Sequence, residues 1–223
     1  MKYRSRIRIQ IISTLVVIFV LLQSLAYIDL PAGKPLQPET VRYTQKAVAA
    51  GSAQQVAEQA PPKPVLKQVT PEDMRALDLR QPCGFSASEI ESVTKFNLNG
   101  LGGNFAEQDN RVNAIFLMSV AALESGWGRH RLTAYNLFGI YYYQPQSYAE
   151  CISHAANLLA TKYLVQDGEW YNGVTVSAVN INYCVNPDGS PKTTWTDEVS
   201  GIMADMYNQI YLAEYQQALA LSA

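Results

Sequence analysis

In this 223-residue chain, the residue pattern best suited to chemistry is a single carboxyl group at the end of an otherwise uncharged helix. Val112 to Gly128 reads VNAIFLMSVAALESGWG, with no charge between Ala114 and Leu123. Such a stretch predicts a central, buried helix. Its first charge is Glu124. Phe116, Val120 and Glu124 are successive i, i+4 positions, so the carboxyl shares a stripe with two core residues. Gly126 suits a left-handed helix end and places Glu124 in the last turn. Partial burial and the negative end of the helix dipole both disfavour the anion. A carboxylic acid kept protonated near neutral pH is what a general acid for glycosidic cleavage requires. On pattern alone, a solvent-facing helix-end residue, or one paired with Arg129 or Arg131, fits equally well.

Other chemistries find less support. Two histidines, His130 and His154, and three cysteines, Cys83, Cys151 and Cys184, exclude HExxH metalloproteases and CxxC pairs. Cys151, His154 and Cys184 have a feasible ligand spacing but no evident fourth ligand, so neither a metal nor a cofactor is assigned. The apolar setting of Cys151 predicts an inert thiol rather than a nucleophile. An oxidising exterior would allow a Cys151–Cys184 bridge, leaving Cys83 over. Net charge is -2, with 17 basic and 19 acidic residues. From Gln81 onward only Lys95, Arg111, Arg129, Arg131, Lys162 and Lys192 face thirteen acidic residues. That balance argues against a nucleic-acid partner.

The elements that must position Glu124 read as helical nearly throughout. Apolar spacing predicts helices over about 86–97, 110–125, 147–165, 172–184 and 194–212, without alternating strands, hence a mainly α domain. Thr70-Pro71-Glu72-Asp73 and Ser86-Ala87-Ser88-Glu89 carry helix-start chemistry, and Thr194-Trp195-Thr196-Asp197 predicts another start. Asn186-Pro187-Asp188-Gly189 is a turn. Ahead of this domain, residues 1–8 hold Lys2, Arg4, Arg6 and Arg8, and residues 9–28 are twenty uncharged residues. A helix of that length crosses a bilayer core. No small-residue cleavage site follows, so the segment reads as a retained single-pass anchor. The preceding basic cluster places the N-terminus in the cytoplasm and the rest of the chain outside. Residues 29–69, rich in Pro, Ala and Gln, read as a flexible linker, and 70–223 as the working domain.

ALESGWG (122–128), followed by Asn136-Leu137-Phe138-Gly139-Ile140, resembles the signature of glycoside hydrolase family 73, the bacterial peptidoglycan N-acetylglucosaminidases of the lysozyme-like superfamily. The resemblance runs from about Ser86 to Tyr211. Ser147 to Ile152 resembles the start of the family's next helix, Tyr183-Cys184-Val185-Asn186-Pro187 its late tyrosine turn, and Trp195 to Tyr207 its closing helix. This likeness implies a lysozyme-like helical domain that hydrolyses the β-1,4 bond between N-acetylglucosamine and N-acetylmuramic acid. Glu124 would be the proton donor, with Tyr183 beside the cleft. One departure is that only YYYQPQ separates Ile140 from the next helix, so the β-lobe of many members is reduced or absent, together with the second carboxylate carried there. Glu150 fits a structural helical position, Asp167, Glu169 and Asp188 have nothing to support them as the base, and the substrate's own N-acetyl group is an alternative nucleophile.

Tyrosines Tyr141, Tyr142, Tyr143 and Tyr148 follow the second motif. Rings of this kind cover sugar faces while the hydroxyl bonds a substituent, so Tyr141 and Tyr142 are candidate groove residues. Asn136 is suited either to hydrogen-bond an acetamido group or to cap the loop turn. Trp127, Trp170 and Trp195 read as packing residues. The expected whole is therefore a bacterial, membrane-anchored peptidoglycan hydrolase whose partners are glycan strands, the membrane and the proteins of an envelope complex. A lytic transglycosylase on the same fold, or a non-catalytic glycan-binding scaffold, uses the same residues differently.

Overall fold

The computed structural model describes residues 64–222, so the expected anchor at 9–28 and the linker up to residue 63 lie outside the described residues. Within them, no helix is long and apolar enough to cross a membrane. Seven α-helices follow in order: α1 (Pro71–Ala76), α2 (Ala87–Ser92), α3 (Gly102–Ala106), α4 (Ala114–Glu124), α5 (Tyr148–Leu158), α6 (Val176–Tyr183) and α7 (Thr193–Leu221). The domain is mainly α, and its only pairing of extended backbone among the described residues is an isolated antiparallel bridge between Val185 and Pro191.

Helix starts follow the side-chain chemistry. Thr70 accepts from Asp73 N–H while the Asp73 carboxylate accepts from Thr70, and Ser86 and Glu89 form the same reciprocal box. The predicted start at Thr194 is displaced: α7 begins at Thr193 after Lys192, with no side-chain cap, and runs 29 residues instead of stopping near 212. Two other expectations are corrected. The helix expected over 86–97 ends at Ser92 and gives way to a single 3₁₀ turn at Phe96–Leu98, and α3 appears where none was expected. The run expected over 147–165 loosens into a π-helical turn at Leu159–Tyr163.

Helix α4 is buried from Ala114 to Ala122. Its cap, Asn113, accepts from Phe116 N–H at 3.0 Å and donates to the Tyr207 hydroxyl at 3.0 Å and to Gln81 O at 3.2 Å, tying α4 to α7 and to the chain before α2. Helix α7 packs against α1, α4 and α6. It also fixes the incoming chain, since Val69 N–H donates to Asn208 Oδ1 and Asn208 Nδ2 donates to Val69 O, both at 2.9 Å.

Glu91 explains α3, whose Gly102-Gly103 start is a poor helix former. Its carboxylate accepts from Gly100 N–H at 2.6 Å and from Gly102 N–H at 2.7 Å. A β-carbon on Gly102 would lie 2.6 Å from the Glu91 backbone, so only glycine permits this approach. Burial pushes the Glu91 carboxyl up, but the two amide donors outweigh it and hold it below its ordinary value near 4.5. A depressed carboxyl contributes stability that is present above the unfolded value and is lost as pH falls through the folded one. Glu91→Gln is expected to cost about 1–3 kcal/mol at pH 7. Urea unfolding at pH 7 and pH 3 checks this, the gap between variant and parent closing at the lower pH.

Candidate active site

The helix that carries Glu124 stops abruptly. Gly126, Trp127 and Gly128 have φ of 54°, 61° and 77°, three consecutive residues in the left-handed region. Trp127 N–H donates to Ala122 O at 2.7 Å, and Ser125 Oγ donates to Ala121 O at 2.6 Å while accepting from Gly128 N–H at 2.7 Å. These bonds satisfy carbonyls that a helix end leaves open. Glu124 is thereby the final residue of α4, half-buried, at the negative end of its dipole.

The carboxyl is held from α7. Trp195, itself buried, donates its indole N–H to Glu124 Oε1 at 2.8 Å. Burial is the main influence on Glu124 and raises its carboxyl above the ordinary range. The indole hydrogen bond and the Lys192 charge act against that rise, and the Glu198 charge adds to it. Oε1 is thus committed as an acceptor. Oε2 faces the loop of the second motif, where a β-carbon on Gly139 would stand 3.8 Å away. The arrangement leaves Oε2 as the oxygen free to carry a proton, beneath a backbone that has no side chain at that point.

Four aromatic rings lead away from this acid. Trp195 and Tyr183 have centroids 5.1 Å apart, Tyr183 and Tyr163 5.8 Å, and Tyr163 and Trp170 5.1 Å. Tyr183 ends α6, and desolvation first, then the Glu124 charge, push its hydroxyl well above its ordinary value. It remains a neutral hydrogen-bonding group at any physiological pH.

The remaining sequence candidates are placed differently. Asn136 is buried, and its amide is used by its own loop: Nδ2 donates to Ile140 O at 2.9 Å and Tyr143 O at 3.2 Å, and Oδ1 accepts from Ile140 N–H at 3.2 Å. That is the loop-capping arrangement, with both Nδ2 hydrogens used and Oδ1 already accepting once. Tyr141 and Tyr142 are exposed and meet edge to face at 4.4 Å, touching each other rather than Glu124. The carboxylate of Glu150 accepts from Gln146 N–H at 2.8 Å at the start of α5. Glu169 pairs with Lys162 at 3.1 Å, and Asp188 accepts from Ser190 Oγ at 2.6 Å within its turn. The three cysteines are free, with no Cys151–Cys184 bridge, and burial raises the Cys151 thiol. His154 stacks on Tyr143 at 4.0 Å, and among the described residues no group of three or more His, Cys, Asp or Glu gathers to hold a metal.

Sequence reasoning missed the polar role of Trp195, which it read as packing. The available signal was the spacing of Lys192, Trp195 and Glu198, three apart across the start of α7, which brings two charges and an indole N–H near one another.

Residues 104–208 match the family model described as Glucosaminidase: Mannosyl-glycoprotein endo-beta-N-acetylglucosaminidase. Two curated relatives from Streptococcus pneumoniae, strains TIGR4 and R6, bear names with endo-beta-N-acetylglucosaminidase and are each 28% identical over 144 residues, covering 56% of this chain. The chain spans only 21% and 20% of those relatives' lengths. Among solved structures, autolysin E of S. aureus is similar with a TM-score of 0.48 and 21% identity, over 64% of this chain and 74% of that one. A second structure of that protein, in complex with the disaccharide NAG-NAM, gives a TM-score of 0.47 and 20% identity over 61% and 72% of the respective chains.

Proposed function

We propose, from the match of residues 104–208 to the glucosaminidase family model, that this chain is a peptidoglycan hydrolase cleaving the β-1,4 bond between N-acetylglucosamine and N-acetylmuramic acid. The observation that carries the reading is the half-buried Glu124 carboxyl, raised by burial and held at Oε1 by the Trp195 indole. In this reading the domain is lysozyme-like and Oε2 of Glu124 gives its proton to the leaving glycosidic oxygen as the bond to the anomeric carbon breaks. Water supplies the hydroxyl to that carbon and leaves its proton with the returned carboxylate. The sequence identifies no second carboxylate as base or nucleophile, and the substrate's own N-acetyl oxygen can take that part at the anomeric carbon before water arrives.

The same proposal includes the anchor at 9–28 and the linker at 29–69, supported by the uncharged twenty-residue run and the basic residues before it. The domain from residue 70 then works on the outer side of a bacterial membrane, at a reach set by the linker. Envelope-complex proteins are its expected neighbours.

Product identity is the test. The full chain is incubated with purified peptidoglycan, and the products are reduced and weighed by mass spectrometry. Reducing-end N-acetylglucosamine is the expected result. Anhydro-muramic acid ends would instead make the chain a lytic transglycosylase, and intact glycan with retained binding would make it a scaffold.

A further inference from the structure

The turn that follows Glu124 is clasped to the loop after α2 in a reciprocal way. Lys95 Nζ stands 5.0 Å from the Trp127 ring centroid, and Arg129 Cζ stands 4.3 Å from that of Phe96. Each loop thus supplies one cation and one ring to the other. Asn97 N–H donates to Trp127 O at 3.2 Å, and Asn97 Nδ2 donates to Gly128 O at 3.0 Å. A β-carbon on Gly128 would fall 2.9 Å from Asn97 Cβ, so the two loops pass as closely as backbone permits. Phe96 and Trp127 are both non-glycine residues in the left-handed region, with φ of 52° and 61°. Backbone strain of this kind persists only where the surroundings hold it, and it concentrates at functional sites.

The charges in this clasp are not neutralised. Lys95 and Arg129 are exposed. The ion pairs found among the described residues are Arg75–Asp197, Arg80–Asp78 and Lys162–Glu169, none of which involves them. A ring quadrupole attracts a cation but leaves its full charge and most of its N–H donors available. Two residues further on, Arg131 donates to the Tyr148 hydroxyl, again without a carboxylate. Of the six basic residues from Gln81 onward, Lys162 alone is ion-paired among the described residues, and Lys95, Arg129 and Arg131 are the three that rest on aromatic rings.

We infer that Lys95 and Arg129 form an anion subsite adjoining Glu124 that takes a carboxylate of the substrate, namely one on the peptide stems of the glycan strand. The inference rests on the function proposed above. The Arg129 guanidinium, 4.3 Å from the Phe96 centroid and donating its Nε–H to Gly126 O at 2.9 Å, keeps its two terminal amino groups for a carboxylate that accepts two parallel hydrogen bonds. Lys95 adds a point charge beside it. Attached by the Ser125–Gly128 turn to the acid itself, the pair would register the strand so that a peptide-bearing sugar sits at a set distance from the cleaved bond. It would also supply local attraction on an acidic domain that the anionic wall otherwise repels.

The test uses the full chain as its Glu124→Gln form, so that binding is read without turnover. This protein is compared with Lys95→Gln/Arg129→Gln and with the charge-keeping Lys95→Arg/Arg129→Lys by co-sedimentation with three walls: intact, stripped of stem peptides by an amidase, and stripped of phosphate polymers. On intact and phosphate-free walls the neutral pair is expected to bind roughly tenfold more weakly, with a flatter salt dependence, while the charge-keeping pair, which retains both charges but not the Arg129 fork, loses only part of that. On peptide-free glycan all three should bind alike. The idea is overturned if the neutral pair loses as much on peptide-free glycan, if the loss vanishes on phosphate-free wall, if the charge-keeping pair fails equally, or if nothing changes. Failure of the unsubstituted chain to release reducing sugar would count against the hydrolase reading, while the binding contrast would still decide the subsite.

Discussion

Glu124→Gln is expected to lower kcat by about three orders of magnitude while leaving the protein at least as stable at neutral pH. The loss follows from removing the only proton that Oε2 can give to the leaving oxygen. Binding should survive, because the glutamine carbonyl can still accept the Trp195 N–H now made to Oε1 at 2.8 Å. Stability follows from the raised carboxyl. A carboxyl whose folded value exceeds its unfolded one, near 4.5, contributes most below that unfolded value, and the contribution is lost as pH climbs through the folded one. Ionisation of Glu124 is thus a burden on the fold that a neutral amide removes. Reducing-sugar release and thermal midpoints at pH 4 and pH 7.5 check both parts. A rate loss under tenfold, or a midpoint several degrees below the parent at pH 7.5, would sink the assignment.

Trp195→Phe should reduce kcat by ten- to a hundredfold with little change in KM, since it frees the acid without removing it. The indole hydrogen bond lowers the Glu124 carboxyl. Without it the carboxyl rises further, so the limb of the pH–rate profile on which activity declines toward alkaline pH moves upward. Lost packing and the lost bond together should cost about 1–3 kcal/mol. A purely structural tryptophan would lower stability without displacing that limb, and an unmoved limb in the folded variant excludes the positioning role. Trp195 is buried, so circular dichroism and urea unfolding should accompany the kinetics.

Legibility of the sequence depended on whether a residue's role was local. The end of α4 was readable because an uncharged helix followed by Gly126 fixes both burial and termination within a few residues. Likewise the boxes at Thr70 and Ser86 are three-residue relations. Helix α3 was hidden because glycine at its start argues against helix, and the compensating acceptor, Glu91, lies eleven residues earlier. The partner of Glu124 was hidden for a stronger reason. Tryptophan type predicts packing, and only the fold shows that its N–H meets a carboxylate 71 residues away. Asn136 was open to two readings because an amide serves a ligand and a loop with the same atoms. The structure uses those atoms on Ile140 and Tyr143.

That separation of 71 residues between Glu124 and Trp195 also sets a timetable. Chains are made at roughly 5–20 residues per second, so the acid emerges about 4–14 seconds before the indole that holds it exists. The clamp of Val69 to Asn208 spans 139 residues and closes later still. A nascent chain of this kind carries its acid without its orientation, and its catalytic competence dates from the arrival of α7.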